Sequence, residues 1–119
     1  MPGPPPLDIA AIRAYCDGRV PAQFLDQLRV EALVDGNAVT IAERRPPWRE
    51  DFGPDWTTGP VARLRYTHKT ATWSLFWRDR NQKWHRYTRL GPSARVNVLL
   101  GVNVLLDEIE ADPTCIFWG

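Results

Sequence analysis

Between Val61 and Arg89 the chain reads as three runs of alternating polar and apolar residues separated by two short polar breaks. Few folds accept that pattern. Side chains alternate across a strand, so Ala62, Leu64 and Tyr66 face one way and Val61, Arg63, Arg65 and Thr67 the other. In the next run Trp73, Leu75 and Trp77 share a face opposite Thr72, Ser74, Phe76 and Arg78. Thr70-Ala71 and Asp79-Arg80-Asn81-Gln82 occupy the breaks, which predicts a three-stranded meander over 61–68, 72–78 and 83–89. Leu64, Tyr66, Trp73, Leu75 and Trp77 form its dry set, and Arg63, Arg65 and Arg78 lie on the wet one. The face of Trp84 stays open, because a one-residue slip across the second turn exchanges it with His85 and Tyr87.

Upstream, LRVEALVDGNAVTIAERR alternates on both sides of Asp35-Gly36-Asn37, a combination that tolerates positive φ and predicts a tight hairpin. Met1 to Pro6 holds four prolines and a glycine, so residues 1–7 read as an extended tail ahead of a single domain, 8–119. Asp8 is placed to cap a short helix through Ile9, Ile12, Arg13, Tyr15 and Cys16 that stops at Gly18. Pro21 then opens a second short helix with Phe24, Leu25 and Leu28 on one face. Pro46 to Pro60 carries four prolines and two glycines, unsuited to a central strand, and Trp48, Phe52 and Trp56 are available to pin it as a loop. Near the end VNVLL occurs twice, at Val96–Leu100 and Val102–Leu106, around Gly101. Val98, Val102, Leu105, Leu106 and Ile109 recur at helical spacing, with Ser93 to cap and Pro113 to follow, and favour a helix over a strand. The expected fold is α+β: two short N-terminal helices, a five-stranded antiparallel sheet made of a hairpin plus the meander, and a C-terminal helix packed on one face.

A chain of 119 residues, 44% hydrophobic with six tryptophans, buries enough surface to fold as one domain without metal or disulfide staples. Cys16 and Cys115 stand at opposite ends with no CxxC spacing, and read as free buried thiols of a reducing compartment. No signal-peptide pattern opens the chain, and no apolar run reaches the roughly 20 residues of a membrane span, so a soluble cytoplasmic protein is expected.

The net charge of +1 hides a segregation. Residues 61–95 carry nine Lys or Arg against one acid, Asp79, a net of +8; residues 96–119 carry four acids and no base, a net of −4. Arg63, Arg65, Arg78, Lys83 and Arg86 line up as a stripe across neighbouring strands, and like charges side by side repel unless something negative relieves them. Either the acidic end, Asp107 to Asp112, supplies that relief or an external partner does, a nucleic acid or an acidic protein surface. Arg44, Arg45, Trp48 and Arg49 extend the candidate binding set into the proline-rich loop.

Catalytic signatures are sparse. His68 and His85 fall on neighbouring expected strands where they could approach each other, but no third metal ligand accompanies them. Phosphate-loop, dinucleotide and GxSxG patterns are absent, and no cofactor is implied. Pro54-Asp55 resembles half of a PD-(D/E)xK nuclease pattern, yet the following VARLRYTH lacks the acidic-x-lysine that its metal chemistry requires. An enzyme, with His68, His85 and Glu43 as groups to test and Arg44 or Arg45 as an anion clamp, ranks third among the readings.

ERRPPW at Glu43–Trp48, GPVARLRY at Gly59–Tyr66, TWSLFWRDRNQKWHRY at Thr72–Tyr87 and the terminal DPTCIFWG together resemble a bacterial family of domains of unknown function, DUF 3024, over nearly everything from Pro21 to Gly119. The resemblance implies small stand-alone proteins and brings no catalytic residue, cofactor or partner with it. The doubled VNVLL stands where the family's pattern implies one shorter amphipathic helix. The leading expectation is therefore a binding module that engages nucleic acid or another anionic surface through the basic face and the RRPPW loop. The second is a protein-interaction module using the Pro/Trp loop and the terminal Phe117-Trp118-Gly119, which otherwise dock beside the sheet or the RRPPW loop.

Overall fold

The computed structural model describes residues 3–47, 55–87, 96–97, 101–113 and 115–118. Helix α1 spans Pro6–Arg19, with Pro6 at its first position, where the missing N–H costs nothing. Asp8 is thus a first-turn residue rather than the cap, and Gly18 lies within the last turn. The expected tail boundary moves accordingly, since the helix begins at Pro6 and Pro4 is buried. Ile12 and Cys16 are buried on one side of α1, with Ile9 and Tyr15 packed beside them.

The second N-terminal helix does not form. Ala22–Phe24 makes a single 3₁₀ turn, and Phe24 and Leu25 are left exposed. So few residues between Pro21 and the first strand cannot offset the cost of helix nucleation when only Leu28 of their apolar face packs against the core.

Among the described residues six strands follow: β1 (Arg29–Asp35), β2 (Ala38–Arg45), β3 (Thr57–Thr67), β4 (Thr72–Arg78), β5 (Trp84–Arg86) and β6 (Val96–Asn97). The sheet order is β1-β2-β3-β4-β5, antiparallel throughout, with β6 pairing β4 at Thr72 and Trp73. The β1–β2 turn has two central residues, Gly36 and Asn37, with positive φ at Gly36 alone, as a II′ hairpin requires.

β3 starts four residues earlier than the proline content suggests. Gly59 and Pro60 pair with β2, in a stretch where β3 has no β4 neighbour, since that ladder begins at Ala62. A proline is tolerated where one side of a strand is unpaired. The register shifts between Ile41 and Ala42, so Val61 is an extra residue on β3. That bulge turns Val61 into the core, against simple alternation, and Ala62 is buried with it.

Helix α2 covers Gly101–Ala111 and buries Val102, Leu105, Leu106 and Ile109. The two VNVLL copies part ways: the second is helical, the first opens as β6, and Val98 and Ser93 lie outside the described residues. Both helices pack on the face that carries Val39, Ile41, Leu64, Trp73 and Leu75, and this single layer of contact is the core. Among the described residues no helix is long and apolar enough to cross a membrane.

Candidate functional site

With both helices on one face, the arginines of β3 to β5 collect on the other. The ladders set Arg63 opposite Thr40 and Phe76, Phe76 opposite Arg86, Arg65 opposite Ala38 and Ser74, and Arg78 opposite Trp84. Paired residues share a face, so Trp84 joins the arginines on the outer side, while His85 sits opposite Trp77 on the inner side. The Arg63 guanidinium lies over the Trp84 ring, 4.6 Å from its centroid, and its Nε donates to Thr40 Oγ1 at 3.4 Å. Ala38, Arg63, Arg65, Phe76 and Trp84 enclose a surface cavity of about 260 Å³.

Among the described residues no carboxylate pairs with Arg63, Arg65, Arg78 or Arg86. Arg78 Nε is shielded from water and has no hydrogen-bond partner. The acidic end of the chain is occupied elsewhere. Glu108 accepts from Tyr87 Oη at 2.5 Å, and Glu110 accepts from Tyr15 Oη at 3.2 Å and pairs with Arg19 at 3.4 Å. Asp112 accepts the backbone N–H groups of Ile116, Phe117 and Trp118. Glu108, Glu110 and Asp112 are thus committed to contacts away from the stripe. The nearest acids on the outer face, Glu31 and Asp35, belong to β1, two strands or about 10 Å from β3.

The other candidates separate into groups. Arg44 pairs with Glu31 and Arg45 with Glu43, both at 3.3 Å, so these charges are met locally. Lys83 is exposed in the turn before β5. Trp48 and Arg49 lie outside the described residues, as does Phe52, while Trp56 stacks under Arg29 at 4.7 Å. Phe76, Ala38 and Trp84 complete the site, and none of the three was a sequence candidate. Alternation did place Phe76 on the arginine side; Trp84 needed the register of the 79–83 turn.

The two histidines are held apart. His68 bonds Asn37 Oδ1 at 2.9 Å beyond the start of β4, whereas His85 bonds Asp79 Oδ2 at 2.6 Å and stacks on Trp77 near its far end, roughly 17 Å along the strand. Hydrogen bonds from His85 and from the Lys83 and Asn81 amides hold the Asp79 carboxyl below the usual carboxylate range. Burial, reinforced by Asp17, pushes the Cys16 thiol up to about 12, which leaves it protonated and unreactive. Cys115 is exposed rather than buried, and both cysteines are free. Tyr15 is held above the ordinary phenol value by burial and by the neighbouring Glu110.

The terminal aromatics dock. Phe117 is 7% exposed and packs against the Tyr87 ring at 5.4 Å, and Trp118 donates to the Ile109 carbonyl at 3.1 Å while its ring carries the Arg19 guanidinium at 4.4 Å.

The family model described as Domain of unknown function (DUF3024) matches residues 4–119, and the chain belongs to that family. No curated protein and no solved structure matches it.

Proposed function

We propose that this family member is a binding module that engages nucleic acid through the outer face of its sheet. The observation that carries this reading is the gathering of Arg63, Arg65, Arg78 and Arg86 on one face, with no carboxylate paired to any of them among the described residues. Like charges gathered on one face without acidic partners repel, and a polyphosphate backbone removes that repulsion while releasing its own counterions. Arginine suits the task, since its planar fork binds phosphate and stacks on aromatic rings. A cytoplasmic setting fits the two free thiols. The rival reading, a protein-assembly module built on the Pro/Trp loop and the terminal aromatics, has less support from its aromatic half because Phe117 and Trp118 are engaged with the chain's own core.

Fluorescence anisotropy with labelled DNA and RNA, titrated between about 50 and 200 mM salt, tests the reading. If four arginines meet four phosphates, log affinity against log salt has a slope of about −3. The double substitution Arg63→Ala with Arg65→Ala reduces that slope by about half and weakens binding to every sequence alike. Absence of binding at the lowest salt, to single and double strands of both DNA and RNA, sinks it.

A further inference from the structure

We propose that the cavity beside Trp84 receives one unpaired nucleobase, which makes the ligand of the basic face a single-stranded nucleic acid; the inference rests on the binding reading above. Nucleobases released from a helix are held on aromatic rings and on guanidinium planes, and the cavity is lined by both kinds of group, Phe76 and Trp84 with Arg63 and Arg65. Its volume of about 260 Å³ lies below the roughly 300 Å³ at which drug-sized pockets begin. That is room for a planar heterocycle.

The surroundings favour the same occupant. Ala38 contributes only a methyl group opposite Arg65, and the space exists because β2 has no larger side chain there. Phe76 and Trp84 are half-buried, so part of each side chain remains in water for a base to cover, on Trp84 away from the face that Arg63 takes. Arg63 is already positioned by its contacts with Trp84 and Thr40. Arg65, two residues along β3 from Arg63, and Arg86, next to Phe76 at the end of the same row, are both exposed and available to the phosphates flanking the inserted base. In a duplex the bases are stacked and paired inside the helix, out of reach of a cavity recessed among arginines, so a duplex would meet the arginines and leave the cavity unfilled.

Competition on the whole protein decides the matter. A labelled single-stranded oligonucleotide of mixed sequence is displaced by the same strand unlabelled, by its duplex form and by inorganic polyphosphate. Single strands are expected to compete at least about tenfold better than duplex or polyphosphate, the lower part of the range for one stacked base. Ala38→Leu, which narrows the cavity and keeps every charge, is expected to lower single-strand affinity by roughly the same factor and leave duplex affinity unchanged. Trp84→Leu provides a second variant, with circular dichroism to confirm that each folds. Equal competition by duplex or polyphosphate, or unchanged single-strand affinity in a folded variant, overturns the inference while the basic-face reading stands. Failure of the labelled strand and of the duplex to bind at all overturns both.

Discussion

Asp8 is the one charged residue among the buried side chains described, and its position explains a tryptophan. The carboxylate lies in the first turn of α1, where the N-terminal end of the helix dipole favours negative charge, and it accepts a 2.8 Å hydrogen bond from Trp73 Nε1. Trp73 is fully buried in β4, so a single side chain both fills the core and ties the first helix to the central sheet. Trp73→Phe keeps much of the apolar volume and removes the donor. The expected loss is about 1–3 kcal/mol, the cost of leaving a buried polar group unsatisfied, with a further cavity contribution. Urea denaturation measures it; a variant as stable as the parent shows that the Asp8 contact contributes nothing.

At the scale of elements, the clearest dependence is that of β5 on its turn. Asp79 accepts the amides of Asn81 and Lys83 and the His85 ring, while Gln82 adopts positive φ, and together these contacts bring Trp84 opposite Arg78. Because these bonds hold the folded-state pKa of Asp79 below the unfolded value, the carboxylate stabilises the fold at pH above the ordinary carboxylate range. That stability is lost as pH falls through the lowered folded-state value. Asp79→Asn is therefore expected to be less stable than the parent at neutral pH, with the two denaturation curves converging in acid. A gap that persists unchanged into acid refutes the charge as its source. The same scale explains why VNVLL takes two structures: the strand slot beside Thr72 and Trp73 captures Val96 and Asn97, whereas the second copy continues into DEIEA, whose Ile109 completes a buried stripe with Val102, Leu105 and Leu106. Local propensity is the same in both copies, so tertiary context decides.

For the whole molecule, what could be read from sequence is what periodicity controls. The meander, the dry set and the Gly36 turn all follow from period two and turn chemistry, and Leu64, Tyr66, Trp73 and Leu75 are buried as that pattern requires. What escaped it depends on long-range partners: the inward turn of Val61 at a bulge, the Pro60 ladder, the unformed second helix and the face of Trp84. The chain's end belongs to the same class, since nothing local says where Phe117 and Trp118 dock. They close the layer, Phe117 on Tyr87 and Trp118 between Arg19 and the Ile109 carbonyl, with both Asp112 carboxylate oxygens holding the backbone in place. Deleting residues 116–119 exposes core that α1, α2 and the sheet share. Loss of buried large aromatics typically costs about 3–5 kcal/mol, a large part of the roughly 5–15 kcal/mol that holds such a domain together. The truncated chain is thus expected to unfold at much lower urea, whereas Asp112→Asn, which tolerates the positive φ found there and keeps one acceptor oxygen but sets an NH2 against a backbone N–H, lowers the midpoint by a smaller amount. A truncated chain with the parent's midpoint would instead make the aromatic end a surface free for a partner, and would move the assembly reading ahead of the binding one.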